Sequence, residues 1–227
     1  VVGTGTIGVT VADELRSRGT DVVVVERDAD NRFLGELRSA GIPVLIADAT
    51  LPDTWTDLRL DRVRAVAVLT SDDLVNIETG LAVRDLLAER WSAVPVVLRL
   101  FDRRLADTVE TSFDFRFVRS PAALAAPWFV GAALGLDVID TFYIGDQPLL
   151  VAHLTVLADG GLDGLAMVDL SARIRVVSLV RADGTSEHPP RRDTRFAVGD
   201  AAYLIGPYEE LLSLLRTDTL TPESLAP

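Results

Sequence analysis

The chain has 227 residues, 48% of them hydrophobic, with a formal net charge of −12 and a pI near 4.6. That length holds one large or two small domains with a buried core. The acidic balance excludes a nucleic-acid partner, which needs a basic face, and attachment to an anionic membrane surface. No cysteine is present, which rules out disulfides and thiolate metal sites and fits a reducing compartment. All 22 basic residues are arginine, so a Schiff base or a lysine proton relay is excluded.

The chain begins Val1-Val2-Gly3-Thr4-Gly5-Thr6-Ile7-Gly8, a G-x-G-x-x-G spacing between a short apolar stretch and a helix-permissive one at 7–18. In such a turn the first glycine permits the tight bend, and the second lets backbone approach a pyrophosphate. The third lets the helix pack on the sheet, while the helix N-terminus offers N–H groups and its positive dipole end to phosphate. Gly19 stops the helix, and 21–26 reads as a buried parallel strand. Glu26 closes that strand 18 residues after Gly8, where a ribose-binding carboxylate belongs. Only two residues precede the first glycine and position 1 is not Met, so a longer parent chain is expected. No signal peptide is recognisable.

Strand and helix then alternate. The pattern predicts a helix over 28–40, a strand over 43–46 with Asp48-Ala49-Thr50 at its carboxyl end, a short helix over 52–58, and a strand over 65–69. Thr70-Ser71-Asp72-Asp73 caps a helix reaching about Glu89, followed by a strand at 95–100, a helix at 102–110 and a strand at 115–118. Apolar strands separated by helices predict a doubly wound α/β fold with a Rossmann-like parallel sheet. Ligands of such sheets lie beyond the carboxyl ends of the strands, where Glu26, Asp48, Thr70, Ser71 and Arg99 fall.

Residues 120–136 carry no charge. They are too few, and too rich in Pro and Gly, for a membrane span of about 20 residues. The stretch reads as a helix from Pro121. It either closes the first domain or lets a second subunit approach, with Trp128 and Phe129 as anchors. After 145–148 the pattern changes to strands at 149–157, 173–181 and 201–205, with a turn at 182–185 and a helix at 208–215. This predicts a small α+β lobe of about 80 residues, with a frayed tail from Thr217. Asp159, Asp163 and Asp169 are scattered, so no metal site is expected. His153 reads as a strand residue with one satisfied ring nitrogen, too far in sequence from His188 to suggest a metal pair.

These motifs in this order resemble the RCK family, regulators of potassium conductance, also called KTN or Trk/Ktr-type subunits. The first lobe matches through G-T-G-T-I-G, Glu26, A-D-A-T at 47–50, L-T-S-D-D-L-V-N at 69–76, L-R-L-F-D at 98–102 and S-P-A-A-L-A-A-P at 120–127. The second matches through D-G-L at 163–165, V-V-S-L-V-R at 176–181, P-P at 189–190 and V-G-D-A-A-Y-L-I-G at 198–206. The wording at 98–102 and 120–127 is similar to RCK modules of actinobacterial potassium-channel-like proteins.

The resemblance implies a nucleotide-binding (TrkA-N) domain at 1–119, a crossover helix and linker at 120–146, and a TrkA-C-like domain at 147–227. It implies a non-enzymatic sensor that binds NAD(H) or ATP, ADP or AMP and gates potassium flux. Its expected partners are a second copy, through the sheet edge and helix 121–135, a possible octameric ring, and a membrane potassium pore at the cytoplasmic face. Carried onto this chain, Gly3, Thr4, Gly5, Thr6, Ile7 and Gly8 hold phosphates, and Glu26, beside Arg27, bonds the ribose. Asp48 and Ala49 flank the adenine, and Thr70 and Ser71 border the phosphates. Arg99 either contacts the ligand or forms an intersubunit salt bridge. The Glu26 charge disfavours the 2′-phosphate of NADP. The competing readings are an NAD-dependent oxidoreductase and a nucleotide-binding interaction module unconnected with a channel.

Overall fold

A computed structural model describes residues 1–56, 58–145 and 147–219, with the side chains of 215–219 left aside. The chain divides into two compact units, Val1–Ala123 and the residues from Leu124 onward. Asp57 in the expected helix 52–58, Asp146 in the 145–148 turn, and the expected tail beyond Thr219 lie outside the described residues.

The first unit is a doubly wound parallel sheet. Its strands are β1 (Val24–Glu26), β2 (Val44–Ile46), β3 (Val66–Val68), β4 (Val96–Arg99) and β5 (Phe117–Arg119). β1 pairs with β2, and β3–β4–β5 form a second run, all parallel. Val2 joins the two runs, bridging Val25 on one side and Val68 on the other. The order across the sheet is therefore β2–β1–Val2–β3–β4–β5, and it reverses at Val2. Such a reversal opens a crevice at the carboxyl ends of the flanking strands.

Helices cover both faces. They are α1 (Thr6–Ser17), α2 (Leu34–Ser39), α3 (Pro52–Thr56), α4 (Asp73–Leu87) and α5 (Arg103–Ser112). Neighbouring strand residues point to opposite faces. Val24 accordingly packs with Val9, Ala12 and Leu37 of α1 and α2, while Val25 packs in the cluster that holds Val83, Leu87, Ala106 and Val109 of α4 and α5. The caps are local and follow the residue types. Asp72 accepts from the N–H groups of Leu74 (2.9 Å) and Val75 (3.1 Å), and Asp102 accepts from Leu105 N–H (3.0 Å). α2 starts six residues later than residues 28–40 predict. Asp28 and Asn31 bond the backbone two residues on, at Asp30 N–H (2.9 Å) and Phe33 N–H (3.0 Å), and hold turns there instead.

The second unit is a five-stranded antiparallel sheet in the order β6–β7–β10–β8–β9. The strands are β6 (Asp137–Ile144), β7 (Gln147–Thr155), β8 (Arg175–Val180), β9 (Ser186–Glu187) and β10 (Ala201–Gly206). Helix α6 (Pro121–Ala133) precedes it and α7 (Tyr208–Thr219) follows. The core face alternates along the central strands: Leu150, Ala152 and Leu154 of β7 oppose Gly206, Leu204 and Ala202 of β10. Leu179, Phe196 and Leu211 complete that core. β6 stands where the sequence predicts linker. A register shift between Val138 and Asp140 breaks its alternation, so the period-2 signal is lost. Helix α6 packs by Gly131, where a Cβ would meet Leu150 Cδ2 at 2.5 Å and Val138 Cγ2 at 2.9 Å. Its Leu124, Phe129 and Val130 are exposed, as is Leu134 just beyond its end. Among the described residues no helix is long and apolar enough to cross a membrane.

One ionic network fastens the long loop before β10. Arg181 donates to the buried Asp200 (2.7 Å), to Glu187 (2.9 Å) and to Arg195 O (2.9 Å), and Asp200 also accepts from Ala197 N–H (2.9 Å). Burial lowers the Arg181 pKa, but the two carboxylates outweigh it and raise the pKa above the ordinary arginine value. Removing one partner of a buried pair leaves the other charge uncompensated. Asp200→Asn is expected to cost about 2 kcal/mol, read as a lower urea midpoint at unchanged m-value.

Candidate nucleotide-binding site

The glycine motif forms the turn between Val2 and α1 at the sheet reversal. Gly3 has φ +89°, a backbone conformation that side-chain-bearing residues rarely adopt. A Cβ on Gly3 would sit 2.9 Å from Thr70 Cγ2 and 3.0 Å from Thr70 Cα. A Cβ on Gly8 would sit 2.0 Å from the Gly3 carbonyl oxygen, so α1 starts only because residue 8 has no side chain. Gly5 is different. It is the exposed N-cap of α1, and a Cβ there meets nothing within 4 Å. It offers no side-chain cap, and the first turn of α1 holds no acidic residue. The N–H groups of that turn, which lack intrahelical acceptors, are left to an external acceptor.

Glu26 at the end of β1 is tied to the turn. Oε2 accepts from Thr4 N–H (2.8 Å) and from the Thr4 hydroxyl, and Oε1 accepts from Asp28 N–H (2.8 Å). Thr4 is 1% exposed. Burial pushes the Glu26 carboxyl up, but the Asp28 and Thr4 hydrogen bonds outweigh it and hold the group below the ordinary glutamate range. Across the crevice, Thr70 lies two residues beyond β3 and against Gly3, and its carbonyl accepts from Arg99 Nη1 (2.9 Å) at the end of β4. Arg99 Nε is buried without a hydrogen-bond partner. Glu26, Thr4, Gly3, Thr70 and Arg99 thus form one connected wall across the ends of β1, β3 and β4.

Other expected site residues stand apart from that wall. Thr6 and Ser71 are exposed, and Ile7 is half-buried in the first turn of α1. Asp48 is engaged in its own turn, accepting from Thr50 N–H (3.0 Å) and Thr50 Oγ1 (2.7 Å). Those bonds hold its carboxyl below the ordinary range against the effect of burial, and the nearby Arg27 charge adds to them. Arg27 itself is exposed. Ala49 is 6% exposed and packs in the core, with its carbonyl accepting from Trp55 Nε1 (2.9 Å), so its side chain presents nothing to a ligand. The expected set also omits two residues. Asn76 bonds both Thr70 and Arg99, and Asp73 accepts from Phe101 N–H (2.8 Å) and Asp102 N–H (3.1 Å) beyond β4. Their signal was present as polar residues in the first turn of α4, but Arg99, Phe101 and Asp102, which they hold, lie more than 20 residues away. Among the described residues no cluster of three or more His, Asp or Glu could hold a metal ion. His153 Nδ1 pairs with Asp137 across the β6–β7 ladder at 2.9 Å.

Two predictions follow from the geometry of the turn. Gly8→Ala forces the Gly3 carbonyl to move and is expected to lower the melting temperature by several degrees, whereas Gly5→Ala stays within about 0.5 kcal/mol of the parent. Glu26 has a depressed folded-state pKa. Its contribution to stability is present above the ordinary glutamate pKa and is lost as pH falls through the folded value. Melting temperature measured from neutral pH into the acid range should therefore fall less steeply for Glu26→Gln than for the parent.

Residues 1–113 match the TrkA-N domain family. Over 108 residues the chain is 34% identical to the Trk system potassium uptake protein TrkA of Mycobacterium tuberculosis (strains CDC 1551 / Oshkosh and ATCC 25618 / H37Rv). That overlap covers 46% of this chain, which spans 44% of the length of those relatives. The crystal structure of the GsuK RCK domain is similar over 94% of this chain and 45% of that one, with a TM-score of 0.54 at 19% identity. The GsuK channel bound to NAD is similar over 98% of this chain and 39% of that one, with a TM-score of 0.55 at 20% identity. At these identities the structural likeness shows the fold. Residues 1–113 thus carry a TrkA-N domain, and the chain as a whole has the fold seen in RCK domains.

Proposed function

We propose that this chain is a ligand-sensing module that binds NAD(H) or an adenine nucleotide at the glycine turn and regulates a potassium channel or transporter. The observation that carries this reading is the open face of Gly5 beside a connected wall of Glu26, Thr4, Thr70 and Arg99. An uncapped helix N-terminus and a cation with a spare buried donor fit phosphate, and a carboxylate at the end of β1 fits ribose hydroxyls. In this reading residues 3–8 hold phosphate, Glu26 the ribose, Arg27 and Asp48 border the adenosine end, and Thr70, Ser71 and Arg99 border the phosphates. The Glu26 charge favours NAD over NADP. The TrkA-N domain and a relative named as a potassium uptake protein support the potassium connection, and a similar channel structure described as bound to NAD supports the ligand.

The site favours sensing over oxidoreductase chemistry. Glu26 is engaged by backbone and by Thr4, so the acid nearest the turn holds structure rather than standing ready to move a proton. A nucleotide that prefers one arrangement of the module shifts its population by no more than the differential affinity, typically about 1–3 kcal/mol. The rest of the reading is a 1–119 nucleotide-binding domain, a 120–146 crossover and a TrkA-C-like remainder. The module pairs as a homodimer through the sheet edge and α6, assembles into a ring, and acts on a membrane pore from the cytoplasm. The exposed Leu124, Phe129 and Val130 of α6, with Leu134 just beyond its end, support the pairing.

Thermal melting with NAD, NADH, NADP, ATP, ADP and AMP tests the ligand reading. A ligand at about 100 times its Kd should stabilise the parent by about 2.7 kcal/mol. Glu26→Ala should weaken the response, and Gly5→Ala should lose it while remaining folded. If none of the six moves the parent's melting temperature, the sensing proposal is wrong.

A further inference from the structure

One side chain outside the glycine motif sets the far wall of the crevice. Asn76, in the first turn of α4, is 0% exposed. Its Oδ1 accepts from Thr70 N–H (3.1 Å) and from Thr70 Oγ1–H (2.6 Å). Its Nδ2 donates to Thr70 O (3.0 Å) and to Arg99 O (2.8 Å). Both lone pairs and both N–H groups of the carboxamide are therefore in use. Arg99 Nη1 closes the ring on Thr70 O (2.9 Å). One buried amide thus ties the last residue of β4 to Thr70, two residues beyond β3, and Thr70 is the residue against which Gly3 packs.

The arrangement leaves one group unanswered. Arg99 Nε is buried and has no hydrogen-bond partner. A buried charged donor without a partner is costly, and an anionic acceptor removes that cost. The hydrogen bonds of Asn76 go to Thr70 and Arg99, so it fixes both the residue the turn rests on and the backbone that carries the cation. No common side chain replaces it. Leucine has similar bulk but leaves Thr70 N–H, Thr70 O and Arg99 O without their partner. Aspartate keeps the acceptor but sets a second oxygen against two carbonyls.

We infer that Asn76 is a positioning residue of the nucleotide site, holding Thr70 and Arg99 in register so that the Arg99 guanidinium meets the phosphate end of the ligand. The inference rests on the nucleotide reading above and assigns that site the residue that orients its cation.

Titration calorimetry with ADP, run as two double-mutant cycles, tests it. Asn76→Asp is expected to weaken ADP by about tenfold, the worth of one hydrogen bond. With Arg99→Gln already in place, the same change should cost less than about threefold, because the two act through one another. With Glu26→Ala in place it should keep its full effect, since Glu26 stands on the other side of the turn. Should Asn76→Asp fail to fold, Thr70→Val, which removes one donor to the Asn76 oxygen, takes its place in both cycles with the same pattern expected. Equal costs in the two cycles, or a lower melting temperature with unchanged ADP affinity, would reduce Asn76 to a structural residue and overturn the inference. If the parent itself does not bind ADP, NAD or ATP, the nucleotide reading has failed first, an outcome distinct from either pattern.

Discussion

Four backbone hydrogen bonds around Val2 hold the two halves of the parallel sheet together. Val2 N–H reaches Ala67 O, Leu69 N–H reaches Val2 O, Val25 N–H reaches Val1 O, and Gly3 N–H reaches Val25 O. The chain crosses the middle of the sheet in this one short pass and must leave it at once. Leaving so sharply requires positive φ at Gly3, and starting a helix within three residues requires that residue 8 have no side chain. The crevice, the exposed helix N-terminus and the approach of Thr70 to the turn all follow from that one geometric demand.

The polar side chains of the two units do different work. In the first unit they gather at strand ends, where each holds backbone belonging to another segment: Glu26 holds Thr4, Asn76 holds Thr70 and Arg99, and Asp73 holds Phe101. Their hydrogen bonds make the wall of the crevice a single connected object, so a ligand that moves one member acts on the others. In the second unit the comparable network of Arg181, Glu187 and Asp200 secures a loop to a sheet.

What the sequence made legible was local in origin. The glycine spacing, Glu26 at the end of its strand, the Asp72 and Asp102 caps and the alternation in β7 each depend on neighbours within a few residues, and each stands where the pattern put it. The misses have one physical form. Asn76 takes its meaning from Arg99, which lies 23 residues on. β6 is hidden by a register shift visible only against β7. Ala49 reads as an exposed strand-end residue until Trp55 and the α4 side chains close over it. α2 is shortened by Asx turns that compete with the helix at 28–33. Long-range pairing and competition between alternatives are properties of the folded set, not of a window of residues.

Gly5 carries a last consequence. It is among the weaker helix caps, and Ser, Asp or Asn at that position would satisfy an N–H group of α1 and stabilise the helix by a few tenths of a kcal/mol. The same oxygen would stand where the external acceptor must come. If a nucleotide binds here as proposed, folding and binding set opposite requirements at one residue, and the glycine leaves the helix unfinished for a ligand to complete. On the nucleotide reading the turn is a point of stability–activity trade-off, and selection for heat resistance alone would be expected to erode the site there before it touched the core.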